Sequence, residues 1–233
     1  MLPRKNFLIR PPVANIDLLA MVVAPKDPIP YLYNIDLLTV IAKKSDIECA
    51  IIVSKSDLAD HNEISEVYAK TDFKVLITSS EDSYGIEDVK SLLNGKICVL
   101  CGASGVGKST LINALYPHLK RETGELSEKI ARGKNTTRTT ELFALGNNTY
   151  LADTPGFTAV NTELYCSIEH KELHSLFPEF EAYEKECRYA DCTHTKETEC
   201  GILYAVERGD ISANRHESYK KLYCELKSID RYK

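Results

Sequence analysis

Residues 102–110 carry the most informative chemistry in the sequence, because they read GASGVGKST and match the pattern G-x-x-x-x-G-K-[ST]. Glycines in such a loop let the backbone curl until its N–H groups point inward, where they can bind phosphate oxygens. Lys108 would reach the β- and γ-phosphates of a nucleotide, and Ser109 would supply a hydroxyl to Mg²⁺. A strand pattern before the loop and a helical pattern after it favour a phosphate site over a chance turn. The predicted phosphate-binding residues are Gly102, Ala103, Ser104, Gly105, Val106, Gly107, Lys108, Ser109 and Thr110.

Two other loops supply candidate readers of the nucleotide base. Residues 54–57, Ser-Lys-Ser-Asp, end an apolar strand and resemble the Asn-Lys-x-Asp guanine motif of GTPases. The carboxylate in this motif can accept hydrogen bonds from the ring N–H and the exocyclic amine of guanine, a pair that adenine cannot offer. Serine stands where the motif usually has asparagine, which predicts a looser tether to the phosphate loop. Residues 79–80 resemble the second guanine loop, whose backbone N–H would meet the guanine oxygen. The candidate base readers are Ser54, Lys55, Ser56, Asp57, Ser79 and Ser80.

The sequence Asp-Thr-Pro-Gly at residues 153–156 fits the D-x-x-G pattern of a nucleotide switch. Asp153 would hold Mg²⁺ through water, and the Gly156 N–H would sense the γ-phosphate. Residues 133–138, GKNTTR, would form the first switch, in which one threonine closes on Mg²⁺. The predicted Mg²⁺ ligands are Ser109, Thr136, Thr137 and Asp153. The predicted catalytic residues are Lys108, Asn135, Thr137 and Gly156.

A cysteine-rich segment predicts a metal site. Cys187, Cys192, His194 and Cys200 supply three thiolates and one imidazole at the spacing C-x4-C-x-H-x5-C. Such a donor set suits a closed tetrahedral Zn²⁺ site, which is structural because no coordination position is left for a substrate. Cys98 and Cys101 form a C-x-x-C pair, but they lie in an apolar strand pattern that points them to opposite faces, so we expect buried thiols there.

Alternating strand and helix patterns position these motifs. Apolar segments at 18–24, 49–53, 74–78 and 96–101 predict buried strands, and 31–44, 57–70, 85–93 and 108–116 predict helices. Residues 140–145 and 149–152 predict a hairpin, joined by Gly-Asn-Asn. The alternation predicts an α/β fold with a mostly parallel sheet and helices on both faces. Beyond about residue 165 the sequence changes to charged, tyrosine-rich helical segments around the cysteine cluster. This change predicts a nucleotide-binding domain over 1–165 and a mainly helical zinc-binding domain over 166–233.

The order of the motifs is unusual. In Ras-like GTPases the phosphate loop comes first and the guanine readers come last. Here the base readers precede the phosphate loop, which precedes the two switches. The sequence is therefore predicted to be a circularly permuted P-loop GTPase domain, in which residues 93–96 join the former chain ends.

The composition bounds the class of protein. A length of 233 residues with 43% hydrophobic and 27% charged residues is typical of an ordinary globular protein rather than a disordered one. The net charge of −5 argues against a general nucleic-acid coat. No apolar run approaches the ~18 residues that a membrane span needs, and the basic start lacks the apolar segment of a signal peptide. We therefore expect no membrane association.

The combined motifs resemble the ribosome small-subunit-dependent GTPase A family of circularly permuted GTPases. The matching segments are RPPVANID (10–17), SKSD (54–57), GASGVGKST (102–110), GKNTTR (133–138), DTPGF (153–157), LFPEF (176–180), the zinc motif (187–200) and ERGDISANRHESY (207–219). The resemblance implies a cytoplasmic, monomeric GTPase that acts late in small ribosomal subunit maturation, is stimulated by that subunit and contacts its rRNA. It also implies that the family's zinc ligands are the four residues named above.

Two departures from the family pattern, and one from the pattern of Ras-like GTPases, bear on this interpretation. Family members carry an N-terminal OB-fold, for which only about fifteen residues precede the predicted domain here, too few for a five-stranded barrel. Asn135 replaces the histidine of the first switch, and an amide can orient water but cannot act as a base. Phe157 occupies the position of the water-orienting glutamine, which predicts slow hydrolysis without a partner. The alternatives are an ATP-dependent P-loop enzyme and a non-hydrolysing, guanine-nucleotide-dependent rRNA-binding adaptor.

Overall fold

The computed structural model describes four segments of the chain, residues 4–8, 13–117, 141–153 and 168–230. These segments divide into two compact units. The described parts of residues 1–29, 50–61 and 76–158 form the first unit. The described parts of residues 30–49, 62–75 and 159–233 form the second. The single boundary at residue 165 stays a prediction.

The described strands form a six-stranded sheet and a separate two-stranded one. The six-stranded sheet has the order β5-β4-β3-β6-β8-β7. Strand β6 pairs in parallel with both β3 and β8, while β7 pairs antiparallel with β8 as the predicted hairpin. The short strands β1 and β2 pair antiparallel. The strand bounds are β1 Phe7–Leu8, β2 Val13–Ala14, β3 Leu18–Val23, β4 Glu48–Val53, β5 Lys74–Ile77, β6 Ile97–Cys101, β7 Glu141–Gly146 and β8 Thr149–Asp153.

Six α-helices and three short 3₁₀ helices lie among the described residues. In the first unit, α3 and α4 pack with β3 and β6 around one apolar core that includes Leu18, Leu93 and Leu111. In the second unit, α1 packs against α6. The helices are α1 Leu32–Lys44, α2 Asn62–Tyr68, α3 Ile86–Leu93, α4 Lys108–Leu115, α5 Gly201–Glu207 and α6 Ala213–Asp230, with 3₁₀ turns at Leu173–Leu176, Pro178–Phe180 and Glu184–Glu186.

The pattern of burial explains why the central strands were readable from sequence. Every residue of β3 is buried, as expected for a strand covered on both faces. Cys98 and Cys101 in β6 are buried too, as predicted, and burial raises the pKa of Cys101 to about 12 against the opposing effect of Lys108. Among the described helices none is both long and apolar enough to span a membrane.

A buried ion-pair network holds the second unit together. The guanidinium of Arg215 in α6 is fully buried and donates to Asp36 of α1 at 2.8 Å and to Glu179 at 2.7 Å. The Tyr68 hydroxyl donates to the same oxygen of Asp36 at 2.7 Å. The guanidinium also lies 4.6 Å from the ring centroid of Phe177. The network therefore joins α1, which precedes the base-reading loops in the sequence, to α6 near the C-terminus.

The predicted α/β architecture is confirmed, with one helix boundary wrong. The second helix was predicted from residue 57 but begins at Asn62. Residues 56–58 form a turn instead, because Leu58 N–H donates to Lys55 O and Ser56 N–H donates to Thr78 O. This turn fixes the loop after β4, and the helix begins beyond it. The predicted helical character of the C-terminal region is confirmed.

Candidate functional site

Residues 102–107 form a tight loop between β6 and α4. Gly102 has φ +148°, and a Cβ there would lie 2.2 Å from Val22 O of the neighbouring strand, so only glycine fits. Gly107 has φ +95° and precedes the first turn of α4. The strand-loop-helix arrangement predicted from the motif is therefore present, and it aims a helix N-terminus at the loop.

The lysine of this loop folds back over it. Lys108 Nζ donates to Gly102 O at 2.7 Å and to Ala103 O at 2.8 Å. These bonds hold the ammonium group beside the loop backbone, and its phosphate-binding role stays a prediction. Ser109, the predicted Mg²⁺ ligand, is exposed in the first turn of α4. Asp153 ends β8, where its backbone pairs with Leu100 of β6 and so lies next to the start of the loop.

The predicted base-reading loop is hydrogen-bonded to the phosphate loop. Ser54 is buried, and its hydroxyl oxygen lies 2.5 Å from Val106 O and 3.0 Å from Val23 O. The replacement of asparagine by serine therefore keeps a tether between the two loops. Lys55 has φ +55°, and its Nζ donates to Asp27 O at 2.8 Å. The side chain of Lys55 runs alongside the phosphate loop. Its Cε would lie 3.9 Å from a Cβ atom built on Gly107.

The remaining base readers lie at the same sheet edge. Asp57 is exposed in the turn after β4, where its carboxylate is open to a ligand. The Ser79 N–H already donates to Tyr84 O at 3.1 Å, which leaves Ser80 N–H as the candidate donor to a guanine oxygen. The Ser79 hydroxyl lies 3.3 Å from Asp82 Oδ2 and helps to close this loop.

Part of the predicted site lies outside the described residues. These are the predicted first-switch and γ-phosphate residues Asn135, Thr136, Thr137 and Gly156, together with Phe157 and the side chain of Asp153. Their assignments stay predictions.

The second site is a four-residue cluster in the second unit. The ligand atoms of Cys187, Cys192, His194 and Cys200 all lie within 4.8 Å of one another. The Cys187 and Cys200 sulfurs are 3.8 Å apart, and each lies 3.5 Å from His194 Nδ1. A tetrahedral zinc ion with ordinary bond lengths needs edges of about 3.8 Å between sulfurs and about 3.5 Å between sulfur and nitrogen. The donor set and its dimensions therefore fit Zn²⁺.

The electrostatics of the cluster are compatible with a bound cation. Burial raises the pKa of the Cys192 thiol and of the Cys200 thiol, because a thiolate is poorly stabilised away from water. A metal ion offsets that cost and holds the sulfurs deprotonated. In addition, Gly201 N–H donates to Cys187 Sγ at 3.3 Å, a bond typical of a sulfur that carries negative charge.

Sequence reasoning missed the groups that shape the metal loop. One carboxylate, Glu197, accepts backbone N–H bonds from Thr193, Thr195 and Lys196 at 2.9–3.0 Å. Burial opposes ionisation of Glu197, but a hydrogen bond from the Thr193 hydroxyl and the backbone donors outweigh it and lower its pKa to about 2. The only available signal was a glutamate three residues after the ligand histidine.

Helix α6 anchors the metal loop from the other side. The Tyr219 hydroxyl donates to Thr193 O at 2.8 Å, and His216 Nε2 lies 2.7 Å from His194 O. These two side chains belong to the segment ERGDISANRHESY, which matches the family pattern but had no predicted role. Their contacts show that the motif supports the metal loop.

Comparison with known proteins finds two GTPase family models and several named relatives. A family model described as "RsgA GTPase" matches residues 1–163, and one described as "50S ribosome-binding GTPase" matches residues 97–230. A protein from Alkaliphilus metalliredigens named small ribosomal subunit biogenesis GTPase RsgA is 40% identical over 233 residues, covering 99% of this chain and 79% of that protein. The protein of the same name from Thermotoga maritima is 42% identical over 231 residues, covering 97% of this chain and 76% of that protein.

Solved structures agree with these relatives. The crystal structure of YjeQ from Thermotoga maritima matches with a TM-score of 0.78 and 37% identity, covering 97% of this chain and 76% of that one. The structure of YloQ, described as a circularly permuted GTPase, matches with a TM-score of 0.76 and 29% identity, covering 97% and 74%. The motif order predicted from the sequence therefore has a structural counterpart.

Proposed function

The chain belongs to the RsgA GTPase family, with its circularly permuted fold and GTP hydrolase activity, and on that premise we propose that it acts in maturation of the small ribosomal subunit. In this role GTP binding and hydrolysis would switch the protein between subunit-bound and released states. The family assignment is to a GTPase, which removes the ATP-dependent alternative. The chain would act in the cytoplasm as a monomer and contact rRNA.

The observation that supports the nucleotide-dependent part of this proposal is the direct bond between the two predicted nucleotide loops. The Ser54 hydroxyl joins the base-reading loop to Val106 of the phosphate loop. This bond supports a shared site in which the first loop binds the base and the second binds the phosphates. Asp57 belongs to the first of these loops, and Lys108 follows the second at the start of α4.

Residue roles follow from the chemistry of each group. Asp57 accepts two hydrogen bonds from the guanine edge, and Lys108 neutralises charge that develops on the β- and γ-phosphates. Bound Mg²⁺ supplies further charge neutralisation at the phosphates. The ligands proposed for it are Ser109, Asp153 and a threonine at 136 or 137. Asn135 orients the attacking water, and Gly156 N–H bonds the γ-phosphate.

We also propose that the cysteine and histidine cluster holds one structural Zn²⁺. Its four protein ligands leave no position for substrate, so the metal supplies folding energy rather than catalysis. The hydrogen bonds from α6 to the metal loop mean that metal binding also fixes the position of α6 within the second unit.

The names of the relatives and of one family model point to different ribosomal subunits, and a sedimentation experiment distinguishes them. The chain is mixed with purified small or large subunits in the presence of GDP or a non-hydrolysable GTP analogue. We expect the chain to sediment with small subunits in the GTP-analogue state and not with large subunits in either state. Equal sedimentation with both subunits, or with neither, would contradict the proposed function.

A further inference from the structure

Three large apolar side chains in the first unit are the most exposed of their kind among the described residues. Ile29 is 84% exposed, Leu58 66% and Tyr84 61%. Scattered exposed apolar residues need no explanation, but these three lie on the loops that follow three neighbouring strands of the sheet. The loops are residues 24–29 after β3, 54–61 after β4 and 78–85 after β5.

Backbone hydrogen bonds bring the starts of these loops together. Ser54 N–H, at the start of the second loop, donates to Val23 O at the end of β3 at 2.8 Å. Thr78 N–H, at the start of the third loop, donates to Val53 O at the end of β4 at 2.7 Å. The three loops therefore leave the sheet side by side at one edge, the edge of the nucleotide site.

Each loop is also bonded to a residue proposed to read guanine or hold its reader. Leu58 N–H donates to Lys55 O at 3.0 Å, and Tyr84 O accepts the Ser79 N–H at 3.1 Å. In the remaining loop, Asp27 O accepts the ammonium of Lys55 at 2.8 Å, two residues before the exposed isoleucine. A partner bound to these apolar side chains would therefore rest on the scaffold of the base pocket.

The charge around the apolar side chains is strongly negative. The three loops carry five carboxylates against two lysines, a net charge of −3 with histidine neutral. Setting aside Asp57 and Lys55 as guanine readers leaves that net charge unchanged. Such a surface repels a phosphate backbone, and it attracts a partner with clustered lysine and arginine. The charged residues are Lys26, Asp27, Lys55, Asp57, Asp60, Glu81 and Asp82.

We propose that these three loops, the base-side rim (residues 24–29, 54–61 and 78–85), dock a basic protein of the small ribosomal subunit, with Ile29, Leu58 and Tyr84 as apolar anchors. The inference rests on the proposed function, which supplies the subunit. Proteins embedded in an RNA particle carry basic surfaces because they neutralise phosphates. Apolar anchors within a charged surround are the usual composition of a protein interface.

Equilibrium binding of the full chain to purified small subunits, with a non-hydrolysable GTP analogue, tests the proposal. The double variant Ile29→Ser and Tyr84→Ser should weaken binding by about tenfold or more, as loss of two interface anchors does. The single variant Glu81→Lys should weaken binding, since it places a positive charge against a basic partner. The controls are Leu142→Ser, an exposed apolar residue of β7, and Glu207→Lys, an exposed glutamate of α5; both should bind as the unmodified chain does.

Further measurements separate the possible failures. Affinity for fluorescent GDP without subunits should be the same in all of these variants, which shows that the pocket is intact. Binding of the unmodified chain with no loss in the rim variants overturns the docking surface alone. Failure of the unmodified chain to bind overturns the proposed function as well. Tighter binding by Glu81→Lys, or a parallel loss of affinity for protein-free rRNA, identifies the partner as RNA and overturns the proposal.

Discussion

The hydroxyl oxygen of Ser54 lies 2.5 Å from the carbonyl oxygen of Val106, so the loop that reads the base is bonded to the loop that binds the phosphates. The bond is buried, and it joins residues separated by 52 positions in the chain. In the permuted order the base-reading loop comes first, yet the two loops still meet because β3 alone separates β4 from β6 in the sheet. The loop proposed to bind the base and the loop proposed to bind the phosphates therefore support each other's position.

Removal of this bond should weaken nucleotide binding. In Ser54→Ala the buried carbonyl oxygen of Val106 loses its hydrogen-bond donor. An unpaired buried acceptor costs about 1–3 kcal/mol as long as the two loops stay in contact. We therefore expect affinity for fluorescent GDP to fall by about fivefold or more at unchanged secondary structure. Ser91→Ala, which removes an exposed hydroxyl that donates to Glu87 O within α3, serves as the control and should bind as before. Equal affinity for the two variants would show that the tether does not support the pocket.

Exchange of Asp57 for asparagine tests guanine recognition. The amide places a donor where the guanine amine also donates, and loss of a charged partner typically costs about 2–5 kcal/mol. We expect Asp57→Asn to lose GTP affinity and to favour xanthosine triphosphate, which presents a carbonyl at that position. The competition of GTP, xanthosine triphosphate and ATP against fluorescent GDP measures this. Retention of the original preference would remove Asp57 as a base reader.

The parts of the fold that sequence predicted are those in which local pattern and burial agree. β3, β4 and β6 are short apolar runs buried on both faces, and their bounds differ from the predicted ones by one residue at most. The start of α2 was missed, because the bond from Ser56 to Thr78 depends on a partner 22 positions away. A propensity pattern contains no information on such a partner.

The candidate sites also contain residues that the sequence predicted and residues that it did not. The motif at residues 102–110 and the four metal ligands are defined by spacing, and the spacing alone located them. The contacts of Glu197 and Tyr219 with the metal loop were not predicted, since isolated glutamate and tyrosine residues occur on any helical surface. Arg215 was missed for a related reason, because arginine is rarely buried and its two carboxylate partners are distant in sequence.

Loss of one metal ligand should release the metal and disorder the surrounding loop. Cys192→Ala or His194→Ala should lower the zinc content of the purified chain from about one equivalent to near zero, because three ligands bind far more weakly than four. Binding of fluorescent GDP should persist. Cys224→Ala removes an exposed cysteine outside the cluster and should keep its zinc. Elemental analysis of unmodified protein purified without chelator settles the point, and an absence of zinc there would contradict the assignment.

Truncation of Arg215 should be among the most destabilising changes in the second unit. Arg215→Met leaves Asp36 and Glu179 as buried charges without their counter-ion, which typically costs about 3–5 kcal/mol. Arg188→Ala breaks an exposed pair with Glu199 and should cost about 0–1 kcal/mol. Urea unfolding followed by circular dichroism compares the two. Similar transition midpoints for both variants would show that the buried network contributes little.

The rate of GTP hydrolysis with and without purified small ribosomal subunits tests the proposed function most directly. Phe157 stands where Ras-like enzymes have a water-orienting glutamine, so hydrolysis by the chain alone should be slow. Small subunits should raise the rate by about tenfold or more, as partner-supplied groups do in other GTPases. Large subunits should have no such effect, and Lys108→Ala should abolish the stimulated rate. A rate that small subunits leave unchanged, or that large subunits raise equally, would contradict a role as a small-subunit-dependent GTPase.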